Sequence, residues 1–163
     1  MRTLRQSTLC LLLDLNPPGR LLLGYKKAGF GQGKYTGFGG KVEAGEAVEA
    51  AARREMLEES GIRVLDAGFA RAGSLFFYFP ARPDWSQQVE VYRATAWQGE
   101  PQESDEMRPA WFPLDQIPYP AMWQDARYWL PPILAGRCIQ AEFIFEADNE
   151  TIQSVTVSEE THG

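Results

Sequence analysis

GKVEAGEAVEAAARREMLEESGI, residues 40–62, is the stretch on which the fold turns. Alanine, glutamate, arginine and leucine are strong helix formers, and Gly61 stands where a helix passes to a left-handed residue. The composition predicts a helix over about 47–60. Val48, Ala52 and Met56, at i, i+4 and i+8, make its core stripe. Glu55, Glu58 and Glu59 fall at i, i+3 and i+4, so their carboxylates project from one face. On an ordinary surface helix they would be solvated and partly neutralised by Arg53 and Arg54. The alternative is a divalent cation, since Mg²⁺ takes a few carboxylate oxygens, several waters and substrate phosphates. The preceding stretch favours the cation. Seven glycines lie between Gly29 and Gly45, and Glu46 stands at the mouth of the helix. Glycine lets backbone come close to phosphate oxygens.

Around this segment the chain reads as strands. TLCLLLDL (8–15) is a buried strand, NPPGR a turn, and LLLGY (21–25) its hairpin partner. One short strand is expected near Phe38–Val42. SLFFYF (74–79), QVEVYRATAW (88–97) and MRPAWF (107–112) read as strands. MWQDARYWLPPILAG (122–136) reads as a helix that Pro131 and Pro132 kink or end early. AEFIFEA (141–147) and TIQSVTV (151–157) alternate like a terminal hairpin, with a mobile tail expected after Val157. Mixed strands with two helices predict an α/β domain with helices packed on sheet.

Composition narrows the chemistry. The chain has 163 residues; with a domain usually running to about 150, it is read as one domain over 1–163. A hydrophobic share of 44%, with 5 Trp, 6 Tyr and 9 Phe, fills a core and argues against disorder. The only histidine is His162, beside the C-terminus, which sets aside Ser-His-Asp and Cys-His catalysis and His-ligated zinc. Cys10 and Cys138 form no CxxC and read as reduced core thiols of a cytoplasmic protein. The opening MRTLRQSTLCLLLDL lacks a cleavage site and carries Asp14, so a strand is preferred to a signal peptide. No run approaches the roughly 18 apolar residues of a membrane span. A net charge of −6 offers no basic stripe for long nucleic acid. A small polyanion bridged by divalent cations remains open to it.

Two phosphate motifs fail. Gly33-Lys34 is followed by Tyr35 and Gly40-Lys41 by Val42, so there is no Walker A loop. Gly29, Gly31 and then Lys34 break the dinucleotide GxGxxG. A longer pattern fits at every constrained position. It runs Gly40, five residues, Glu46, seven residues, Arg54-Glu55-Met56, one residue, Glu58-Glu59, one residue, Gly61-Ile62. This is the Nudix box, and the chain resembles a Nudix hydrolase. GFGQGKYTGFGGKVEAGE (29–46), ESDEMRPAWFPLDQIPYPAMW (103–123) and the YWLPPIL that follows resemble the oxidised purine nucleoside triphosphatase branch, of the mammalian 8-oxo-dGTP diphosphatase type. Similarity runs over about residues 4–157, with small insertions near Leu15–Pro18 and Phe79–Ser86.

The resemblance implies a mixed sheet sandwiched between α-helices, Mg²⁺ (Mn²⁺ as a substitute), and hydrolysis of a modified purine nucleoside triphosphate to the monophosphate and pyrophosphate. It implies Glu55 and Glu59 as metal ligands, one of them doubling as base, with Glu58 in the same set. Glu106 matches a further carboxylate that approaches from another loop. Arg54 pairs with Glu46 to hold the loop on the helix, and the backbone at Gly39 and Gly40 contacts metal or phosphate. Lys26, Thr8 and Phe30 match positions lining the substrate site, and Phe77 and Trp123 match its aromatics. Asp125 matches an edge-reading carboxylate, expected here to be ionised and acceptor-only. The branch carries Asn where this chain has Thr36 and a second Asp where it has Ala126, which weakens the match to oxidised guanine. The partner implied is a small nucleotide substrate of a monomeric enzyme, without membrane or long nucleic acid. The alternatives are another nucleoside diphosphate-X substrate (a methylated purine nucleotide, a dinucleoside polyphosphate or a nucleotide sugar) or a non-catalytic ligand sensor.

Overall fold

The computed structural model describes residues 4–160; His162 lies outside them. The elements run β1 (Arg5–Asp14), β2 (Arg20–Lys26), β3 (Tyr35–Thr36), α1 (Val48–Ser60), β4 (Arg63–Val64), β5 (Ala70–Tyr78), β6 (Gln87–Ala94), β7 (Trp97–Gln98), β8 (Met107–Pro113), α2 (Ala126–Leu134), β9 (Ile139–Phe145) and β10 (Ile152–Glu159). Eight strands form one mixed sheet in the order β10-β9-β5-β6-β1-β2-β3, with β8 pairing along β2. β4 and β7 make a separate two-stranded ribbon. The arrangement is the mixed-sheet α/β class expected.

The two faces of β1 show why helices lie on both sides. Cys10 and Leu12 point to one face, where they pack with Met56 and Ile62 from α1 and its C-terminal turn. Leu11 and Leu13 point to the other, where they pack with Trp129, Leu130 and Ile133 of α2. An unbroken apolar run suits a strand buried on both faces. α1 ends as its sequence predicts: Gly61 takes φ 77° and its N–H bonds the Leu57 carbonyl. Ala52 and Met56 are buried, while Val48 at the start of the stripe is only half-buried.

Four expectations need correction. Phe38–Val42 is not a strand but a strap beside β1, touching it through isolated bridges Cys10↔Phe38 and Ser7↔Lys41; the short strand of this region is β3. α2 starts at Ala126, not near 122, because Tyr119–Ala121 forms a tight turn and Met122 leaves it extended. Pro131 and Pro132 lie inside α2 rather than ending it early. The chain does not loosen after Val157: β10 pairs with β9 to Glu159, and Glu160 bonds the Cys138 carbonyl and the Arg71 guanidinium. Cys10 and Cys138 are both free and buried.

Candidate functional site

The strap delivers the glycines. Thr8 N–H donates to the Gly40 carbonyl at 2.8 Å, and Val42 N–H to Gln6 at 3.1 Å, holding residues 38–42 against β1. A Cβ on Gly39 would stand 1.8 Å from the Thr8 carbonyl oxygen, so no side chain fits there. On Gly40 a Cβ would meet the Glu55 carboxyl at 2.7 Å. These two positions need glycine because backbone and carboxylate lie so close.

Arg54 ties the helix to the strap. Its guanidinium donates to Glu46 at 2.7 and 3.1 Å, to Glu55 at 2.9 Å, to Glu58 at 3.3 Å and to the Lys41 carbonyl at 3.1 Å. Glu46 also accepts from the Glu43 N–H. The Arg54–Glu46 pair expected from the resemblance is therefore present, and Arg54 reaches two further carboxylates. The planar fork of arginine suits this multiple recognition, which the single ammonium of lysine does not match.

Helical spacing puts Glu55, Glu58 and Glu59 on one face, and the structure gives them different surroundings. Glu59 is buried, 3% exposed, and accepts from the Gly39 N–H at 2.9 Å. Glu55 leans on Gly40 and Arg54, whereas Glu58 is largely exposed. Glu106, on the turn before β8, is also exposed, 3.8 Å from the Lys26 ammonium. Among the described residues no three carboxyl, thiol or imidazole groups converge into a ready-made metal cage. Like charges repel, and donors hold the acids: Gly39 N–H serves Glu59, Arg54 is shared by Glu55 and Glu58, and Lys26 faces Glu106. The charge is nevertheless concentrated here. Burial first, and then Glu55 and Glu106 nearby, push the Glu59 carboxyl up to about 8, against the pull of the Gly39 N–H and Lys26. Burial also raises Glu55, with Glu58 and Glu106 adding to it and Arg54 opposing. An oxygen-only set with excess negative charge, open to solvent on one side, suits a hard divalent cation that keeps waters and takes substrate oxygens.

Glu59 opens onto a cavity of about 330 Å³. Thr8, Lys26, Phe30, Thr36, Gly39 and Gly40 also line it. So do Phe77, Trp123 and Asp125. Every substrate-site position expected from the sequence therefore faces one space. The aromatics are not free plates. Phe30 stacks on Trp123 at 5.2 Å and 19°, and Phe77 stacks on Phe143 at 5.3 Å and 15°. One face of the indole and one of the Phe77 ring are thus already covered. Asp125 is buried and accepts from Trp129 Nε1–H at 2.7 Å. Burial lifts its carboxyl to about 6 against that hydrogen bond. A carboxyl at that value is still mainly ionised at neutral pH, in keeping with the acceptor expected from the sequence. Ala126 is buried in the α2 core cluster. Sequence reasoning missed Trp129, Gln87, Phe79 and Phe145, all on the cavity wall. The indole anchoring Asp125 follows it by one helical turn, a spacing visible in DARYW (125–129); the others meet only through sheet register.

Comparison with known proteins agrees with this geometry. The NUDIX domain model matches residues 3–132. The chain is 44% identical over 159 residues to the oxidized purine nucleoside triphosphate hydrolase of Mus musculus, covering 98% of this chain and 97% of that protein. It is 44% identical over 147 residues to the protein of the same name from Danio rerio, covering 90% and 92%. The crystal structure of the MutT NUDIX hydrolase from Burkholderia pseudomallei matches with TM-score 0.67 and 29% identity, over 80% of this chain and 98% of that one. The MutT protein from Bacillus halodurans shares the fold, with TM-score 0.77 and 24% identity over 94% and 97% of the two chains. Nudix hydrolases generally use divalent metal ions. By the domain match and by identity over nearly its whole length, the chain belongs to the Nudix hydrolase family.

Proposed function

We propose that this chain hydrolyses modified purine nucleoside triphosphates, oxidised ones among them, to the monophosphate and pyrophosphate, as a monomer in the cytoplasm and with Mg²⁺ (or Mn²⁺) bound. The observation that carries the reading is a single cavity lined both by Glu59 and the Gly39–Gly40 backbone and by Trp123, Phe30, Phe77 and Asp125. Acid groups for phosphate chemistry and an aromatic pocket with a polar edge reader share one space. The names of the two 44% identical relatives support the substrate class.

Glu55, Glu58, Glu59 and Glu106, with the Gly39 carbonyl, would hold the metal ion. Bound there, the ion supplies Lewis acidity and a more acidic water. The chain's own groups supply the rest. Arg54 fixes Glu55 and the strap, so the reacting acids keep their places. Lys26 presents its ammonium to the anionic tail. A carboxylate of Glu59 or Glu55 takes the proton of the attacking water, which adds to phosphorus as the bridging P–O bond breaks. Trp123, Phe30 and Phe77 enclose the base, Asp125 accepts from a base N–H, and the Thr36 hydroxyl and Thr8 line the remaining edge.

Turnover of a nucleotide panel tests this: ordinary dNTPs, 8-oxo-dGTP, 2-hydroxy-dATP and O6-methyl-dGTP, each with Mg²⁺ and with chelator. Modified purines should be turned over fastest, with pyrophosphate released only in the presence of metal. Glu59→Gln should lower kcat by at least about 100-fold, the size expected for an acid-base or ligand group, while the protein stays folded. Preference for a nucleotide sugar or a dinucleoside polyphosphate would overturn the substrate assignment. Thr36 on the cavity wall and Ala126 in the core beside Asp125 depart from the oxidised-guanine pattern, so the second reading is another nucleoside diphosphate-X substrate, a methylated purine nucleotide among them.

A further inference from the structure

The cavity floor carries a polar side chain that none of the sequence motifs singled out. Residues paired across neighbouring strands share a sheet face. The pairing of β5, β6 and β1 puts Phe77, Gln87 and Arg5 in one row and Leu75, Val89 and Ser7 in the next. Both rows line the cavity on the α2 side of the sheet. Gln88 points to the opposite side, where its amide bonds Glu90. Gln87 is half-buried, and its amide makes no side-chain hydrogen bond among the described residues. Arg5 and Ser7 are the other polar side chains of these two rows.

Gln87 is the only side-chain amide among the described residues lining this space, whose other side-chain donors are cationic (Arg5, Lys26, Lys41), hydroxyl (Ser7, Thr8, Thr36) or indole (Trp123, Trp129) groups. Asp125 accepts from Trp129, and Glu59 accepts from Gly39. Lys26 faces Glu106. A base N–H is served by Asp125. A base oxo group needs a donor, and Thr36 offers one short hydroxyl in place of the longer amide NH₂ of Asn. Gln87 is the neutral NH₂ donor on the floor. We propose that Gln87 is a specificity-determining residue that donates a hydrogen bond to an oxo group of the bound purine. The inference rests on the purine triphosphate reading above and adds the group that separates oxo-purines from amino-purines.

The experiment compares wild type, Gln87→Met and Gln87→Glu in kcat/KM for 8-oxo-dGTP, dGTP and dATP with Mg²⁺. Methionine keeps the volume and removes the donor, and glutamate keeps the shape and presents acceptors only. Both variants should lose about 3- to 10-fold on 8-oxo-dGTP and dGTP, the worth of one neutral hydrogen bond, and stay within about twofold on dATP. Retained dATP turnover shows that the fold and the hydrolytic groups are intact. An equal loss on all three nucleotides, or no loss on the oxo-purines, overturns the assignment while leaving the purine reading standing. A wild-type enzyme inactive on every purine triphosphate overturns both.

Discussion

Asp125 shows what the site costs at the level of one residue. A carboxyl lifted to about 6 by burial keeps its proton in the folded state after the unfolded chain has lost it. Below the ordinary carboxylate pKa both states are protonated and the residue has no effect on stability. As pH rises from about 4 to 6 the unfolded state ionises first, so the folded state loses relative stability, and above that range the penalty is constant at no more than ~3 kcal/mol. Asparagine carries no such charge and still offers an oxygen to Trp129 Nε1–H. Asp125→Asn should therefore melt higher than wild type at pH 8, by on the order of 5 °C, and equally with it at pH 3.5. The same variant should raise KM for purine substrates by about tenfold, since a charge-assisted acceptor is lost. A gain in stability paired with a loss in binding marks a group kept for its ligand. Melting curves that shift equally at both pH values would show that burial does not govern this carboxyl.

Among the elements, α1 and the strap before it were unequally visible in the sequence. α1 is local: its helix formers, its acid spacing and its terminal glycine all lie between Val48 and Gly61, and its bounds came out within about one residue of those expected. The strap depends on β1, which lies some 30 residues earlier, so a short strand was expected at Phe38–Val42 where the structure has two bridges. Gln87 was hidden for the same reason, because only the pairing of β6 with β5 and β1 sets it on the cavity floor. The strap makes a paired prediction. Gly39→Ala puts a methyl onto the Thr8 backbone, which cannot yield without parting strap from strand. It should cost at least about 2 kcal/mol and lower Tm by some 4 °C or more. Gly40→Ala meets only the end of the Glu55 side chain, which can swing away. Tm should move by less than about 2 °C while kcat falls by tenfold or more, because Glu55 has left its place. Two melting curves and two turnover assays decide it; equal Tm losses would remove the distinction drawn between the two glycines.

For the whole molecule, helices packed on a sheet were legible from the mixed strands and two helices, and their place on both faces from the family resemblance, whereas the surroundings of each acid were not. Helical spacing reports which side chains share a face, not which donor or degree of burial each carboxyl group meets. Those surroundings set how the protein should respond to its cation. Without metal, Glu59 holds a proton up to about pH 8, since burial and its acidic neighbours disfavour the charge. The unfolded chain releases that proton near pH 4.5, so the metal-free protein should lose stability as pH rises between these limits and level off above them. A cation must displace the proton to bind, so its affinity should grow over the same interval, with proton release on binding. A ligand at 100 times its Kd stabilises by about 2.7 kcal/mol, which in a domain of this size corresponds to about 5–10 °C. The melting temperature in saturating Mg²⁺, measured against chelator, should therefore rise by that amount at pH 8.5 and by clearly less at pH 6. Glu59→Gln should flatten the pH dependence of the metal-free protein and lose most of the Mg²⁺ effect. An equal Mg²⁺ shift at both pH values would mean that the cation binds elsewhere on this acidic surface and that Glu59 is not among its ligands.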